Sequence, residues 1–237
     1  MYVPGRNPVT ELLRSKYPVK QLFLQEEINV DHKIAEITAL ARQRNVKPEF
    51  ISRKQLSKIS DSDDHQGVLA LTDFDFGPVP ESALEKGGGY IYIREAQYEQ
   101  NAGAIIRTAE VAGLAGVILP PDLRISPTIV RISMGAIFHI PIYQHSLFPT
   151  IKQFNEFAFA VYGIERGGDN IFQAELNEDC LMIIGGEDHA LSEEILTRCD
   201  KTLSIPQYGK VNSLNMSVAA GLVIYNYSRQ HKLGQPS

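Results

Sequence analysis

The sequence predicts an α/β protein: a small N-terminal α/β unit followed by a larger α/β domain built on a parallel sheet. Three observations predict it. The first ~70 residues alternate helical and strand signals at short spacing. A change of composition follows at Asp73, Asp75, Gly77, Pro78 and Pro80 and ends in the triplet Gly87-Gly88-Gly89. Beyond it come four short, continuous apolar runs, as expected of parallel strands covered on both faces. The expected organisation is therefore residues 1–75 as one domain, 76–88 as a linker and 89–237 as a second domain.

Within the first domain, Pro8 marks the start of a helix over Val9 to Lys16, and Gln21-Leu22-Phe23-Leu24 suits a strand. Asp31 is placed to cap a helix whose Ile34, Ile37, Leu40 and Ala41 recur at helical spacing. Val68-Leu69-Ala70-Leu71 reads as a closing strand. In the second domain the strands are Tyr90-Ile91-Tyr92-Ile93, Gly116-Val117-Ile118-Leu119, Phe159-Ala160-Val161-Tyr162 and Leu181-Met182-Ile183-Ile184. Helices fall at Ala102 to Ala112, Ser192 to Arg198 and about Ser213 to His231, the last with Leu214, Val218, Leu222 and Tyr225 on one face. No internal repeat or low-complexity tract interrupts the pattern.

The bulk numbers narrow the function. With 43% hydrophobic and 22% charged residues, the composition excludes disordered and fibrous classes. No apolar run reaches the ~18–20 residues of a membrane span, and the first residues lack a secretory-signal layout. A cytoplasmic protein is expected. Cys180 and Cys199 are the only cysteines and have no metal-binding spacing, and the six histidines form no ligand pair, so no metal is expected. The net charge of −5 lies entirely beyond residue 75, because residues 1–75 carry 11 basic and 11 acidic residues. A local basic face thus remains available to nucleic acid.

Open parallel sheets bind ligands beyond the C-terminal ends of their strands. Three loops there combine glycine with polar side chains. In Asn101-Ala102-Gly103 to Arg107-Thr108-Ala109 a loop enters a helix, with Asn101 where a cap would sit and Arg107 within reach, an arrangement suited to an anion. Gly185-Gly186-Glu187-Asp188-His189-Ala190 is a glycine turn after a strand, without the spacing of a dinucleotide fingerprint. Ile205-Pro206-Gln207-Tyr208-Gly209 leads to Ser213-Leu214-Asn215-Met216-Ser217, where Ser213 and Asn215 open the last helix. Taken singly, each loop also reads as an ordinary capped helix or turn. Their order along one chain is what points to a ligand.

These three segments together resemble the SpoU (TrmH-like) branch of the SPOUT RNA methyltransferases. Ser133-Met134-Gly135-Ala136 and Ile140-Pro141 are similar to the family's connection between its first two motifs. Gly5-Arg6-Asn7-Pro8-Val9 with His65-Gln66-Gly67-Val68 resembles its small substrate-binding domain. The resemblance implies a trefoil-knotted catalytic domain acting as a homodimer, and an S-adenosylmethionine-dependent 2′-O-methylation of RNA ribose. Large-subunit ribosomal RNA is the expected substrate. Transfer RNA is the alternative, as is an RNA-binding or ribosome-assembly protein that keeps the fold without turnover. The resemblance further implies that Gly185, Gly186, Ile205, Gly209 and Leu214 hold the cofactor. Arg107, Asn101, Glu187, Ser213 and Asn215 match catalytic positions. Arg6, Asn7, His65 and Gln66 become candidates for RNA contact. The chain departs from the family pattern at Tyr98 and Glu99 before the first motif, and at Asp188 and Ala190, where glycine is usual.

Overall fold

The computed structural model describes residues 1–60, 63–74, 76–94, 98–186, 190–211 and 213–231. The chain forms two compact units, Met1–Asp75 with Ile125–His139, and Phe76–Arg124 with Ile140–Ser237.

The first unit begins with β1 (Tyr2–Pro4), α1 (Arg6–Arg14), β2 (Val19–Gln25), α2 (His32–Gln43), β3 (Pro48–Ile51), α3 (Arg53–Ser60) and β4 (Val68–Thr72). Its sheet runs β1-β4-β2-β3, with only the β2/β3 pair parallel. Asp31 caps α2 as expected, accepting from the backbone N–H groups of Lys33 and Ile34 at 3.0 Å. Ile34, Ile37 and Ala41 are buried, with Leu40 half-buried beside them. Helix α1 starts at Arg6, earlier than the position of Pro8 suggests, because a proline within the first turn lacks an N–H that would have no partner there anyway. The C-terminal carbonyls of α1 are met by Arg44, whose guanidinium donates to Leu12, Ser15 and Tyr17.

The second unit holds α4 (Glu81–Leu84), β5 (Gly89–Ile93), α5 (Glu99–Val111), β6 (Gly116–Leu119), β7 (Ile142–Gln144), α7 (Leu147–Glu156), β8 (Ala160–Asn170), β9 (Cys180–Ile184), α8 (Glu193–Leu196), β10 (Lys201–Ser204) and α9 (Met216–His231), with α6 (Pro127–Ile132) on the connection from β6 to β7. All strand pairs are parallel, in the order β10-β8-β9-β5-β6-β7. Every residue of β5, β6 and β9 is buried, which accounts for their unbroken apolar runs. Tyr90, Phe154 and Phe159 pack edge to face at 5.0–5.9 Å between ring centres. The stretch 76–88, read from composition as a linker, carries α4 and buries Val79 and Leu84 in this core. Cys180 is buried and its thiol is pushed well above the usual range. That of Cys199 is raised by burial to about 11, so neither is a ready thiolate.

Helix α9 is turned the other way from its expected stripe. Met216, Ala220, Val223, Ile224 and Tyr227 face the core, whereas Leu214, Val218, Leu222 and Tyr225 are exposed. Polar side chains set this rotation. Tyr227 Oη donates to Glu178 O at 2.8 Å, Asn226 Nδ2 to Ile171 O at 2.8 Å and Ser228 Oγ to Ala112 O at 2.8 Å. An apolar period alone cannot register such bonds. Among the described residues no helix is long and apolar enough to cross a membrane.

Residues Ile125–His139 belong to the first unit despite their place in the chain. Ser126 caps α6 through Ile129 N, Arg131 pairs with Asp64, and His139 Nε2 lies 2.8 Å from Glu11 Oε2. The Phe138 ring stacks on Phe74 with centres 5.4 Å apart.

Candidate active site

The C-terminal ends of β8, β9 and β10 open into a cavity of about 500 Å³ in the second unit. The strands reach it in different ways. After β9 the chain turns at Gly185 and Gly186, and after β10 it leaves through Ile205 and Gln207, all four lining the cavity. Strand β8 contributes through a bulge. Thr202 pairs with Gly163 and the next residue, Leu203, pairs with Asp169, so the segment between Gly163 and Asp169 leaves the ladder with β10. A Cβ at Gly168 would fall 2.4 Å from Thr202 O, so the bulge can close only on glycine. Ser204 Oγ donates to Gly168 O at 2.7 Å and fastens it. Glu165 and Arg166, extruded, and Ile164, still paired with Ile184 of β9, become cavity wall.

Glu165 ties two of these loops together. Its Oε2 accepts from Leu191 N at 2.7 Å, beyond the glycine turn, and its Oε1 accepts from Arg166 N at 2.8 Å. The Leu191 bond is a charge-assisted bond to backbone.

The opposite wall is the entrance to α9, where Ser213, Leu214, Asn215, Met216 and Ala219 line the cavity. The helix starts at Met216, later than Ser213, with Asn215 as its cap. Asn215 Oδ1 accepts from Ser217 N at 2.9 Å and Ser217 Oγ at 2.6 Å. Its amide Nδ2 donates to Asn101 Oδ1 at 3.2 Å, which brings the first and third motif segments together. Asn101 is not a cap. Tyr98 precedes the first turn of α5, and Asn101 lies inside the helix, 7% exposed. A buried amide whose oxygen accepts from Asn215 suits a bridge better than a terminus.

Of the residues singled out in the sequence, Gly185, Gly186, Ile205, Ser213, Leu214 and Asn215 line the cavity, and Asn101 adjoins it through Asn215. Gly209 is exposed and does not line it. Arg107 is exposed on α5 and is also absent from the wall. Glu187 and Asp188 lie outside the described residues. Ala190 lines the cavity, and its carbonyl accepts from Arg94 at 3.5 Å. Sequence reading missed Ile164, Glu165, Arg166 and Gln207. The available signal was Glu165-Arg166-Gly167-Gly168, a charged pair and a glycine pair directly after a strand.

Comparison with known proteins agrees with this layout. The profile described as the SpoU rRNA Methylase family matches residues 89–225, and that of RNA 2′-O ribose methyltransferase substrate binding matches 2–75. An uncharacterized tRNA/rRNA methyltransferase of Archaeoglobus fulgidus is 36% identical over 201 residues, covering 84% of this chain and 86% of that protein. A Bacillus subtilis protein named for the TrmH family of tRNA/rRNA methyltransferases is 29% identical over 245 residues, covering 99% and 98%. Among solved structures, the SpoU methyltransferase AviRb of Streptomyces viridochromogenes, in complex with AdoMet, superposes with a TM-score of 0.82 at 24% identity. It covers 99% of this chain and 91% of its own. An AdoMet-bound rRNA methyltransferase of Sinorhizobium meliloti gives 0.77 at 22% identity over 97% and 87%. At these identities the structural likeness is one of fold. The family match covers more than half of the sequence, and the chain belongs to the SpoU rRNA methylase family.

Proposed function

We propose that the protein methylates a ribose 2′-hydroxyl of RNA, with S-adenosylmethionine as methyl donor and ribosomal RNA as substrate. The observation that carries this reading is the cavity beyond β8, β9 and β10, into which the second and third motif segments fold side by side. Its size falls within the ~300–1,000 Å³ of small-molecule sites. Its wall fits the donor chemically. Ile164, Ile184, Ile205 and Leu214 offer apolar surface to an adenine, and Glu165, Gln207 and Asn215 offer hydrogen-bonding groups to the ribose and amino-acid parts.

S-adenosylmethionine supplies an already activated sulfonium methyl when bound. What remains for the protein is alignment of the attacking oxygen at ~3 Å and exclusion of water. Gly185 and Gly186 let backbone approach the donor, and Ile205 and Leu214 hold its nucleoside from the two ends of one loop. Gly209 shapes the loop between them. Asn215 fixes the start of α9 and orients Asn101. Arg107 clamps an RNA phosphate and holds the hydroxyl beside it rather than acting as a free base, and the clamped phosphate oxygen takes the hydroxyl proton as the methyl passes to oxygen. Ser213, exposed at the cavity rim, and Glu187 complete the polar set.

A second copy of the chain covers α9. Val218, Leu222 and Tyr225 lie on one helical face and are 52%, 37% and 53% exposed, an apolar stripe that a homodimer would bury. The parallel sheet and the tethered α9 also suit the trefoil knot that the family resemblance implies. The two domains work as an RNA-binding part, 1–75, and a catalytic part, 89–237.

The test is calorimetric titration with S-adenosylmethionine beside methyl-transfer assays on ribosomal and transfer RNA transcripts. The Arg107→Ala variant is expected to bind donor as the parent does while turnover falls at least about a hundredfold. Full turnover in that variant would remove Arg107 from the chemistry. Methylation of transfer RNA alone would overturn the choice of substrate.

A further inference from the structure

The first unit contains a cavity of its own, of about 580 Å³, which the chemistry beyond the parallel strands does not use. It forms where four separate stretches converge: Arg6 at the start of α1, Gln25 to Asn29 after β2, Arg53 at the start of α3, and His65 to Gly67 before β4.

The cavity is open, with Glu27, Asn29, Arg53 and Gln66 exposed at its rim, and its floor is built from fixed side chains. Arg6 is held in place by an ion pair to Asp31 and by a bond from its Nε to Gln66 O at 3.2 Å. His65 is 1% exposed, with Nδ1 accepting from Gly67 N at 2.9 Å and Nε2 3.1 Å from Ser57 Oγ. Ser57 in turn donates to Asp63. That chain puts the imidazole proton on Nε2 and makes the ring a fixed, neutral wall. Burial and the nearby Arg53 charge both hold its pKa below the usual histidine range.

Two lining residues, Glu27 (φ 56°) and Gln66 (φ 51°), adopt left-handed backbone that side chains disfavour. Gly67 beside them has φ 78°, and a Cβ there would meet Ile28 Cδ1 at 2.7 Å. Strain of this kind persists where the surroundings over-determine it, commonly at ligand sites.

Beside Arg6, already paired with Asp31, and the Glu27 carboxylate, the lining offers a cation (Arg53), amides (Gln25, Asn29, Gln66) and the apolar Ile28. One ligand class uses all three: phosphate for the cation, a base edge for the amides, and a base face for the isoleucine. In a duplex, base faces are stacked and their edges paired, whereas RNA modules commonly read splayed, single-stranded bases. We infer that this cavity receives one unpaired nucleotide of the substrate RNA, with its phosphate on Arg53 and its base edge on Gln25, Asn29 and Gln66. The inference rests on the RNA reading above and adds a recognition point distinct from the methylated ribose.

The experiment uses the full chain. Titrating ¹⁵N-labelled protein with each nucleoside 5′-monophosphate, and separately with inorganic phosphate, is expected to shift the Asn29 and Gly67 amides saturably with nucleotides. Equal shifts with phosphate alone would reduce the pocket to an anion site and overturn the proposal. Fluorescence anisotropy then compares a mixed-sequence 12-nucleotide single-stranded RNA with the same RNA annealed as a duplex. Arg53→Ala, and Gln66→Gly, which tolerates the left-handed backbone, are each expected to weaken single-strand binding about tenfold. Duplex binding and S-adenosylmethionine affinity should stay at parental values, and the amide spectra of β2 and β4 should match the parent, which reports folding of the first unit. An equal loss on duplex, or no loss on either RNA, sinks the idea. Donor binding reads the other cavity, so a protein that binds nucleotides here but no S-adenosylmethionine would refute the proposed reaction and leave this site standing.

Discussion

The two units both bury apolar cores but differ in how their charges pair. In the first, charge is everywhere: Arg6–Asp31, Arg14 with Glu11 and Glu36, Lys33–Glu36, Lys20–Asp73 and Arg131–Asp64 are all ion pairs within it. In the second, the described pairs Lys152–Glu156 and Arg198–Glu194 are exposed contacts one helical turn apart, while the central strands are buried throughout. A sheet covered on both faces gains enough from apolar burial that the loops beyond its strands can carry polar groups selected for chemistry. The smaller unit has an apolar core of its own around Leu12, Leu22 and Leu69, and the side-chain networks on its surface also shape its pocket.

The largest test of that contrast is Phe154→Ala. Phe154 is fully buried between Tyr90 and Phe159, and its loss is expected to cost about 3–5 kcal/mol. Hydrogen exchange of peptides from β5 and β9 should rise while β2 and β4 keep their protection. Equal loss in both would mean the units unfold as one. Asn215→Ala comes next, removing a cap worth about 1 kcal/mol and the bridge to Asn101. Asn215→Asp keeps the cap acceptor but not the amide donor. It should restore α9 protection without restoring donor affinity, and recovery of both would deny the bridge a role.

Acid provides a gentler probe. The carboxyls of Asp31, Glu36 and Asp73 are held below their ordinary values, Asp31 first by its bond from Ile34 N, Glu36 by Lys33, and Asp73 by Lys20. Their folded pKa values are depressed, so they stabilise the native state at neutral pH and that contribution disappears as pH falls through the acid range. Between about pH 5 and pH 3 the first unit should lose exchange protection before the second. The smallest effect belongs to Arg14→Ala, expected to cost less than about 1 kcal/mol and to be masked in high salt. A loss of several kcal/mol would show that the charges of the first unit are not merely a solvated surface.

How legible all this is from sequence differs by feature. The Asp31 cap and the buried strands are local, and local chemistry predicts them. The facing of α9 is not, because Tyr227, Asn226 and Ser228 choose it through bonds to distant carbonyls. The β8 bulge escaped because its register is written in pairing with β10, which no periodicity reports. Asn101 and Asn215 were both legible as polar residues at helix starts, yet their bond spans 114 positions and needs the folded chain. The family's motif order pointed to Gly185, Gly186, Ile205, Ser213, Leu214 and Asn215, which line the cavity, and it could not announce Glu165, which belongs to none of the three motifs.

The segment Ile125–His139 has a consequence for biosynthesis. The first unit is discontinuous, so the ribosome releases its main part tens of residues before the piece that completes it. At roughly 5–20 residues per second, the interval is on the order of several seconds. During that time Phe74 lacks its stacking partner Phe138, and Glu11 lacks His139. The nascent chain must therefore carry an unfinished N-terminal half through the synthesis of β5 and β6, a window in which a chaperone has something to hold.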